Sequence, residues 1–263
     1  MNVSDMKIRI FEDIPEWTNF RKSISSSKSL GVVMTMGALH RGHRTLIERS
    51  KKENDLTVVT IYLNPTQFNN ENDLDNYPST WDDDVKVLEC LDVDFLLAPR
   101  YDQIYQDDYR YVVTENDFSK ILCGGARPGH FDGVLTVVMK LLNITKADRA
   151  YFGEKDYQQF HLIKGMRDAF FIDTEIIPCA IAREKDNLAL SSRNKLLTAG
   201  GRKLAAFYAK AIRENTEIDK IKLKLENNNI KVDYLEERYG RRFAAVFIDD
   251  VRLIDNFDLK ELE

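Results

Sequence analysis

Short apolar runs rich in β-branched residues alternate along this chain with longer stretches in which apolar positions recur every three or four residues. Gly31-Val32-Val33-Met34-Thr35, the run 57–63 and Phe95-Leu96-Leu97 read as buried strands, separated by helical patterns over 43–52 and 80–91. This βαβαβ order predicts a parallel sheet with helices on its faces. Further on, Phe131, Val134, Leu135, Val138, Leu141 and Leu142 mark the apolar side of a helix over 131–146. A strand at 149–152, a helix over 157–171 and a strand at 175–178 follow, and then a polar loop over 183–194.

After Thr198 the character changes. Lys-rich helical sequence runs to about residue 226, the Asn227-Asn228-Asn229 tract marks a turn, and strand-like runs recur at 232–234, 244–248 and 251–254. The expected organisation is therefore an α/β domain over 1–182 and a small α+β domain over 183–263. No repeat or long low-complexity segment is visible.

Composition narrows the class. A chain of 263 residues with 43% hydrophobic and 31% charged residues fits a soluble protein of one large or two modest domains. Its net charge of −5 argues against a nonspecific nucleic-acid binder, while leaving room for a local basic site. Three widely spaced cysteines, Cys90, Cys123 and Cys179, predict neither a disulfide framework nor a zinc cluster, and point to a reducing, cytoplasmic setting. No apolar run has the length of a membrane span, and Met1-Asn2-Val3-Ser4-Asp5 lacks the pattern of a secretory signal.

Candidate chemistry gathers where strands give way to polar residues. Met36-Gly37-Ala38-Leu39-His40-Arg41-Gly42-His43 follows the first of these strands, and Asn64-Pro65-Thr66-Gln67-Phe68 follows the second. Gly153-Glu154-Lys155-Asp156-Tyr157-Gln158-Gln159 follows a later one, and Leu190-Ser191-Ser192-Arg193-Asn194 ends the polar loop. Ligands of open parallel sheets collect at such carboxyl ends. Gly42 and His43 at a helix start favour an anion, the imidazoles of His40 and His43 can donate to phosphoryl oxygens, and Lys155 and Arg193 supply cations. These stretches together predict an ATP-using enzyme.

Plainer readings compete at several positions. The histidines could be solvated beside a glycine turn, and a histidine metal pair lacks a nearby third ligand. Asp156 and Gln159 have the spacing of a capping box, and Ser191 and Ser192 could cap a loop or helix. The stretch Arg127-Pro128-Gly129-His130-Phe131 could be a connector or a loop covering a site. For Asp82-Asp83-Asp84 the ordinary role of acidic residues in a first helical turn is the better reading, ahead of magnesium binding.

At these residues the chain resembles the pantoate–β-alanine ligase family, with an HxGH signature at 40–43 that nucleotidylyltransferases and class I aminoacyl-tRNA synthetases share. The likeness spans roughly 31–195, and Arg252-Leu253-Ile254-Asp255-Asn256 resembles the family's closing motif. It implies a Rossmann-like domain with a small α+β lid, and a ligase that joins pantoate to β-alanine through a pantoyl adenylate, releasing pyrophosphate and AMP. By that resemblance Met36, Gly37, Ala38, Leu39, His40, Arg41, Gly42 and His43 surround ATP, with His43 as proton donor and transition-state stabiliser. Lys155 holds phosphate oxygens, Gly153, Glu154 and Asp156 lie at the nucleotide, and the main chain of Ala182 meets adenine. Ser191, Ser192 and Arg193 grip the phosphates, and Leu190 lies with them at the ATP site. Gln67 and Gln159 hold pantoate, while Asn64 and Arg127 line the amine side.

The resemblance further implies Mg2+ carried with the nucleotide phosphates and a homodimer, with neither nucleic acid nor membrane as a partner. Another HxGH nucleotidylyltransferase acting on a small molecule is the alternative, and a silent nucleotide-binding or RNA-associated module a third reading. The chain departs from the family pattern in three places. Met34 stands where a proline is usual, Cys123 where an acidic residue is common, and the hairpin between Tyr234 and Val246 is shorter.

Overall fold

A computed structural model describes residues 8–69 and 74–262; the N-terminal run 1–5 lies outside the described residues. The apolar runs form the strands of a six-stranded sheet: β1 (Arg9–Phe11), β2 (Leu30–Thr35), β3 (Leu56–Ile61), β4 (Phe95–Leu97), β5 (Arg149–Gly153) and β6 (Glu175–Cys179). Strand order is β1-β4-β3-β2-β5-β6, and each neighbouring pair is parallel. The chain leaves β2 toward β3 and β4, then returns to place β5 and β6 on the other side. The order therefore reverses between β2 and β5, where parallel sheets open a crevice at their carboxyl ends.

Strand alternation assigns the two faces. Val33, Val59, Leu96, Tyr151 and Ile177 share one face and pack with Ile47 of helix α2 (Arg41–Glu53) and Leu88 of helix α3 (Trp81–Cys90). On the other face Phe11 and Phe95 stack with Trp17 of helix α1 (Ile14–Ser23), whose ring nitrogen donates to the Ile144 carbonyl. That carbonyl belongs to helix α4 (His130–Thr145), most of whose residues are buried. Helix α5 (Tyr157–Ala169) links β5 to β6.

The C-terminal sequence forms helices α6 (Ala199–Ala211) and α7 (Ile218–Glu226), then the antiparallel strands β7 (Lys231–Arg238), β8 (Arg241–Ile248) and β9 (Val251–Asp258). Their core comprises Ala205, Tyr208, Ile221, Leu225, Val246 and Phe257. The shortened hairpin closes in two residues, Tyr239 and Gly240, with φ of 51° and 71°, the left-handed pair that suits a tight antiparallel turn. The three short runs expected here are thus strands of eight residues each.

The fold comprises two compact units. The first holds the parallel sheet over 8–39, His43–Gly153 and Gln158–Cys179; the second holds His40–Gly42, Glu154–Tyr157 and Ala180–Glu263. Strand β1 and helix α1 lie outside the sequence expectation, as do the short helices Tyr101–Ile104 and Leu122–Ala126. Helix α2 also starts earlier than expected, at Arg41, so His43 is its third residue. Met34 continues β2 in register with Thr60.

Candidate active site

In the first unit, β2 ends in a loop whose backbone takes an unusual path. Gly37 and Ala38 both have left-handed φ, 83° and 52°. That path turns two successive amides toward Asp84, which is 3% exposed. Its carboxylate accepts from Ala38 N at 2.9 Å, Leu39 N at 2.7 Å and Thr80 Oγ1 at 3.0 Å. A Cβ on Gly37 would stand 3.1 Å from Asp84 Oδ2, tight as well as conformationally strained. Asp84 therefore does more than decorate the first turn of α3, the role expected of the acidic triplet. It anchors the glycine loop.

The second polar stretch is organised by Asn64, 1% exposed. Its Nδ2 donates to Gln67 Oε1 at 3.1 Å and to the Gly133 carbonyl at 3.2 Å. Its Oδ1 accepts from Thr66 Oγ1 at 3.0 Å and from the Tyr105 hydroxyl at 2.8 Å. All four hydrogen-bonding positions of the carboxamide are used. Gln67 Nε2 points to Met36 Sδ at 3.2 Å, and the Gln67 carbonyl accepts from His130 Nδ1 at 2.7 Å. Gly133 lets α4 approach this turn, since a Cβ there would lie 2.5 Å from the Thr66 carbonyl oxygen.

Arg127 follows a single-turn helix, Leu122–Ala126, and is half-buried. The turn before it is tied to α5 by Gln158, which accepts from Cys123 N at 3.1 Å and donates to the Phe118 and Ile121 carbonyls. Gln159 lies beside it on α5, half-buried. Gly153 ends β5, and His43 is half-buried on α2.

In the second unit, His40 Nδ1 accepts from Gly42 N at 3.0 Å. A neutral ring then carries its proton on Nε2. Burial holds the His40 pKa below its usual range, and the Lys155 ammonium adds to this, with Asp156 opposing and Lys195 assisting. Lys155 Nζ lies 3.6 Å from Asp156 Oδ1, and the Glu154–Asp156 turn leads into α5. The polar loop is ordered by a bridge between Arg183 and Ala189 and by Leu190 N donating to the Ala182 carbonyl at 2.9 Å.

Ser191 Oγ accepts from Arg193 N at 3.3 Å, leaving Ser192 and Arg193 exposed on a short 3-10 turn. Arg41 and Leu190 line one open cleft together with Glu184, Lys185, Asp186 and Arg202. Among the described residues no cluster of three or more His, Cys, Asp or Glu side chains is placed to hold a metal ion.

The structure thus brings Met36, Asn64 and Gln67 together in the first unit, and places His40 within electrostatic reach of Lys155 and Asp156 in the second. Sequence reasoning missed Asp84, Tyr105 and Gln158 as organisers. Only Asp84 had a local signal, an acid in a first helical turn, and that signal says nothing of a partner 45 residues away.

A parallel sheet with these loops at its strand ends defines an α/β protein of the Rossmann-like class. A sequence profile described as pantoate-beta-alanine ligase matches residues 9–258. Pantothenate synthetase of Legionella pneumophila (strain Lens) is 50% identical over 250 residues, covering 95% of this chain and 99% of its own. That of Coxiella burnetii (strain Dugway 5J108-111) is 49% identical over 248 residues, covering 94% and 96%. Among solved structures, a pantoate-beta-alanine ligase from Francisella tularensis, complexed with beta-gamma ATP and beta-alanine, superimposes with a TM-score of 0.91 at 42% identity, covering 96% of this chain and 98% of its own. The chain belongs to the pantoate–β-alanine ligase family.

Proposed function

We propose that the strand-end residues described above carry the reaction of this ligase, the ATP-dependent condensation of pantoate with β-alanine through a pantoyl adenylate. A pantoate carboxylate oxygen attacks the α-phosphorus of ATP and expels pyrophosphate. The β-alanine amine then attacks the activated carbonyl, giving pantothenate and AMP. The chemistry needs no covalent protein intermediate, so positioning and charge stabilisation are what the protein contributes.

In this reading the loop 36–43 and the Gly153, Glu154, Lys155 and Asp156 turn surround the nucleotide, with Lys155 on phosphate oxygens and His43 donating as charge develops. A neutral His40 offers an Nε2 donor at physiological pH, consistent with its lowered pKa. Ser191, Ser192 and Arg193 hold phosphates, Leu190 lies beside them, and Ala182 meets the adenine. Gln67 and Gln159 hold pantoate, and Arg127 lies on the amine side. With its amide fully engaged, Asn64 serves by orienting Gln67. Magnesium enters with the phosphates, as this ion commonly does.

The observation that carries this reading is the Asn64–Gln67–Met36 linkage, a carboxamide fixed against the nucleotide loop. A nucleotidylyltransferase that stops at a nucleotidyl product needs no such amide. The test is pyrophosphate and AMP release from ATP, with pantoate alone and then with β-alanine. Pantoate-dependent pyrophosphate followed by β-alanine-dependent AMP and pantothenate is the expected result. A folded, ATP-binding protein that ignores pantoate overturns it. From the family resemblance we also infer a homodimer in a reducing, cytoplasmic setting, and sedimentation of the purified protein at twice the chain mass tests the first part. No helix among the described residues is long and apolar enough to cross a membrane.

A further inference from the structure

Strand β9 carries the run Arg252-Leu253-Ile254-Asp255-Asn256, to which the sequence assigns no role. Alternation sends its last two side chains to opposite faces of the three-stranded sheet. Asp255 faces the same side as Leu253 and Phe257, where it accepts from Arg183 at 2.8 and 3.1 Å and from Arg213 at 3.3 Å. Asn256, 2% exposed, faces the other way.

There its Oδ1 accepts from Arg241 Nε at 3.0 Å and Nη2 at 2.8 Å. Its Nδ2 donates to the carbonyls of Glu154 and Lys155, each at 2.9 Å. A guanidinium only donates and a carbonyl only accepts, so this amide has one possible orientation. Arg241 is itself fixed, 4.1 Å over the Tyr157 ring centroid and 3.9 Å from Glu154 Oε1. Two successive peptide planes of the Glu154–Asp156 turn are therefore set by one buried amide. Those planes flank the Cα of Lys155 and fix the direction in which its long side chain leaves the backbone.

We propose that Asn256, oriented by Arg241, is a positioning residue for Lys155: it holds the turn so that the ammonium meets the ATP phosphates. The proposal rests on the reading of Lys155 as a phosphate contact. Asn256→Asp is the sharpest probe, because it keeps the shape and the Arg241 partner. It turns a carboxylate oxygen toward two carbonyl oxygens where two N–H donors stood.

The experiment compares Asn256→Asp, Lys155→Met and the double variant in pantoate-dependent pyrophosphate formation over a range of ATP. Circular dichroism and thermal melting check the fold. With the fold retained, Asn256→Asp should lower kcat for adenylation by on the order of 100-fold, the scale of a misplacement of about 1 Å. It should leave the KM for β-alanine in the second half-reaction unchanged. In the Lys155→Met background it should cost less than about threefold more, since residues acting through one another are not additive.

A folded Asn256→Asp protein with parental kcat overturns the proposal, as do losses that multiply in the double variant. If Lys155→Met alone adenylates pantoate at the parental rate, the Lys155 reading itself fails, an outcome visible separately. Should Asn256→Asp not fold, Asn256→Ser, which removes both donations without adding charge, takes its place in the same cycle. There, too, multiplied losses overturn the proposal.

Discussion

Replacing Asp84 tests whether a buried carboxylate holds the glycine loop. In Asp84→Ala the amides of Ala38 and Leu39 lose their partner, and so does the Thr80 hydroxyl. A buried donor left unsatisfied costs about 1–3 kcal/mol. For the two amides the sum is about 2–6 kcal/mol, and because Ala38 and Leu39 are half-buried, water can offset part of it, giving about 2–3 kcal/mol. Asp84→Asn keeps one acceptor oxygen but faces the other amide with an NH2 group, so about 1–3 kcal/mol is expected.

Both figures lie below a typical domain stability of about 5–15 kcal/mol, so the variants should fold and their kinetics should be readable. A second term offsets part of this cost and favours displacement of the loop. Ala38 sits in a left-handed conformation that costs about 1–2 kcal/mol for a residue with a Cβ. Once the carboxylate lets go, the loop gains by relaxing, and the segment proposed to surround ATP moves. Urea unfolding combined with pantoate-dependent pyrophosphate release measures both effects. Asp84→Asn should lower the urea midpoint and reduce adenylation at least about tenfold, the equivalent of about 1.4 kcal/mol in the transition state. An unchanged midpoint with an unchanged rate would refute the anchoring argument. A lower midpoint with a parental rate would show that the carboxylate steadies α3 and leaves the loop indifferent.

Three further outcomes follow from named contacts. Gly133→Ala forces a Cβ to within 2.5 Å of the Thr66 carbonyl, so α4 or the 64–67 turn must shift; overpacking of this kind costs about 1–3 kcal/mol, and a thermal melt at the parental temperature would contradict it. His40 should titrate below 6.5 by NMR, and Lys155→Met should move its pKa up. With the folded-state pKa lowered, the unfolded chain binds more protons just below 6.5, so stability should fall as pH drops through that window. Downward movement of the His40 titration in Lys155→Met would rule out this electrostatic account. Gln159→Ala should raise the KM for pantoate about tenfold or more while leaving that for ATP near the parent, on the scale of one lost hydrogen bond to a charged group; equal losses for both substrates would favour a capping role.

The central strands were legible because they are buried on both faces and so read as unbroken apolar runs, as in Val58-Val59-Thr60-Ile61. Strand β1 was not: three residues long at the sheet edge, with Arg9 and Ile10 exposed, it has no pattern to read. Helix α1 had its signals in place, with Asp13 capping Glu16 N, a proline at the start and Trp17 and Phe20 three apart, but it is short. The C-terminal strands looked shorter than they are because their ends are charged. Arg242 pairs with Glu237 at 2.7 Å and lies 3% exposed, so a polar pair occupies strand positions that pattern reading assigns to loops. The polar stretches at 36–43, 64–68 and 153–159 were legible as motifs. What fastens them was not, because Asp84, Gln158 and Asn256 act on backbone 35 to 102 residues away in sequence.

That division has a physical reason. Groups proposed to meet ATP and pantoate must stay accessible, so Arg193, Ser192 and Asp156 are exposed and could not hold their own backbone in place. Precise geometry must then come from beneath. Asn64, Asp84, Gln158 and Asn256 are each nearly inaccessible, and each ties a loop through two or more hydrogen bonds to backbone or to a neighbouring side chain. A buried polar group is tolerable only when its partners are supplied, and here the partners are the loop amides and carbonyls themselves. Loop order and side-chain satisfaction are thus one condition. An apolar replacement at any of these positions leaves backbone groups unpaired as well as a gap, and the loss should register in turnover before it registers in the core.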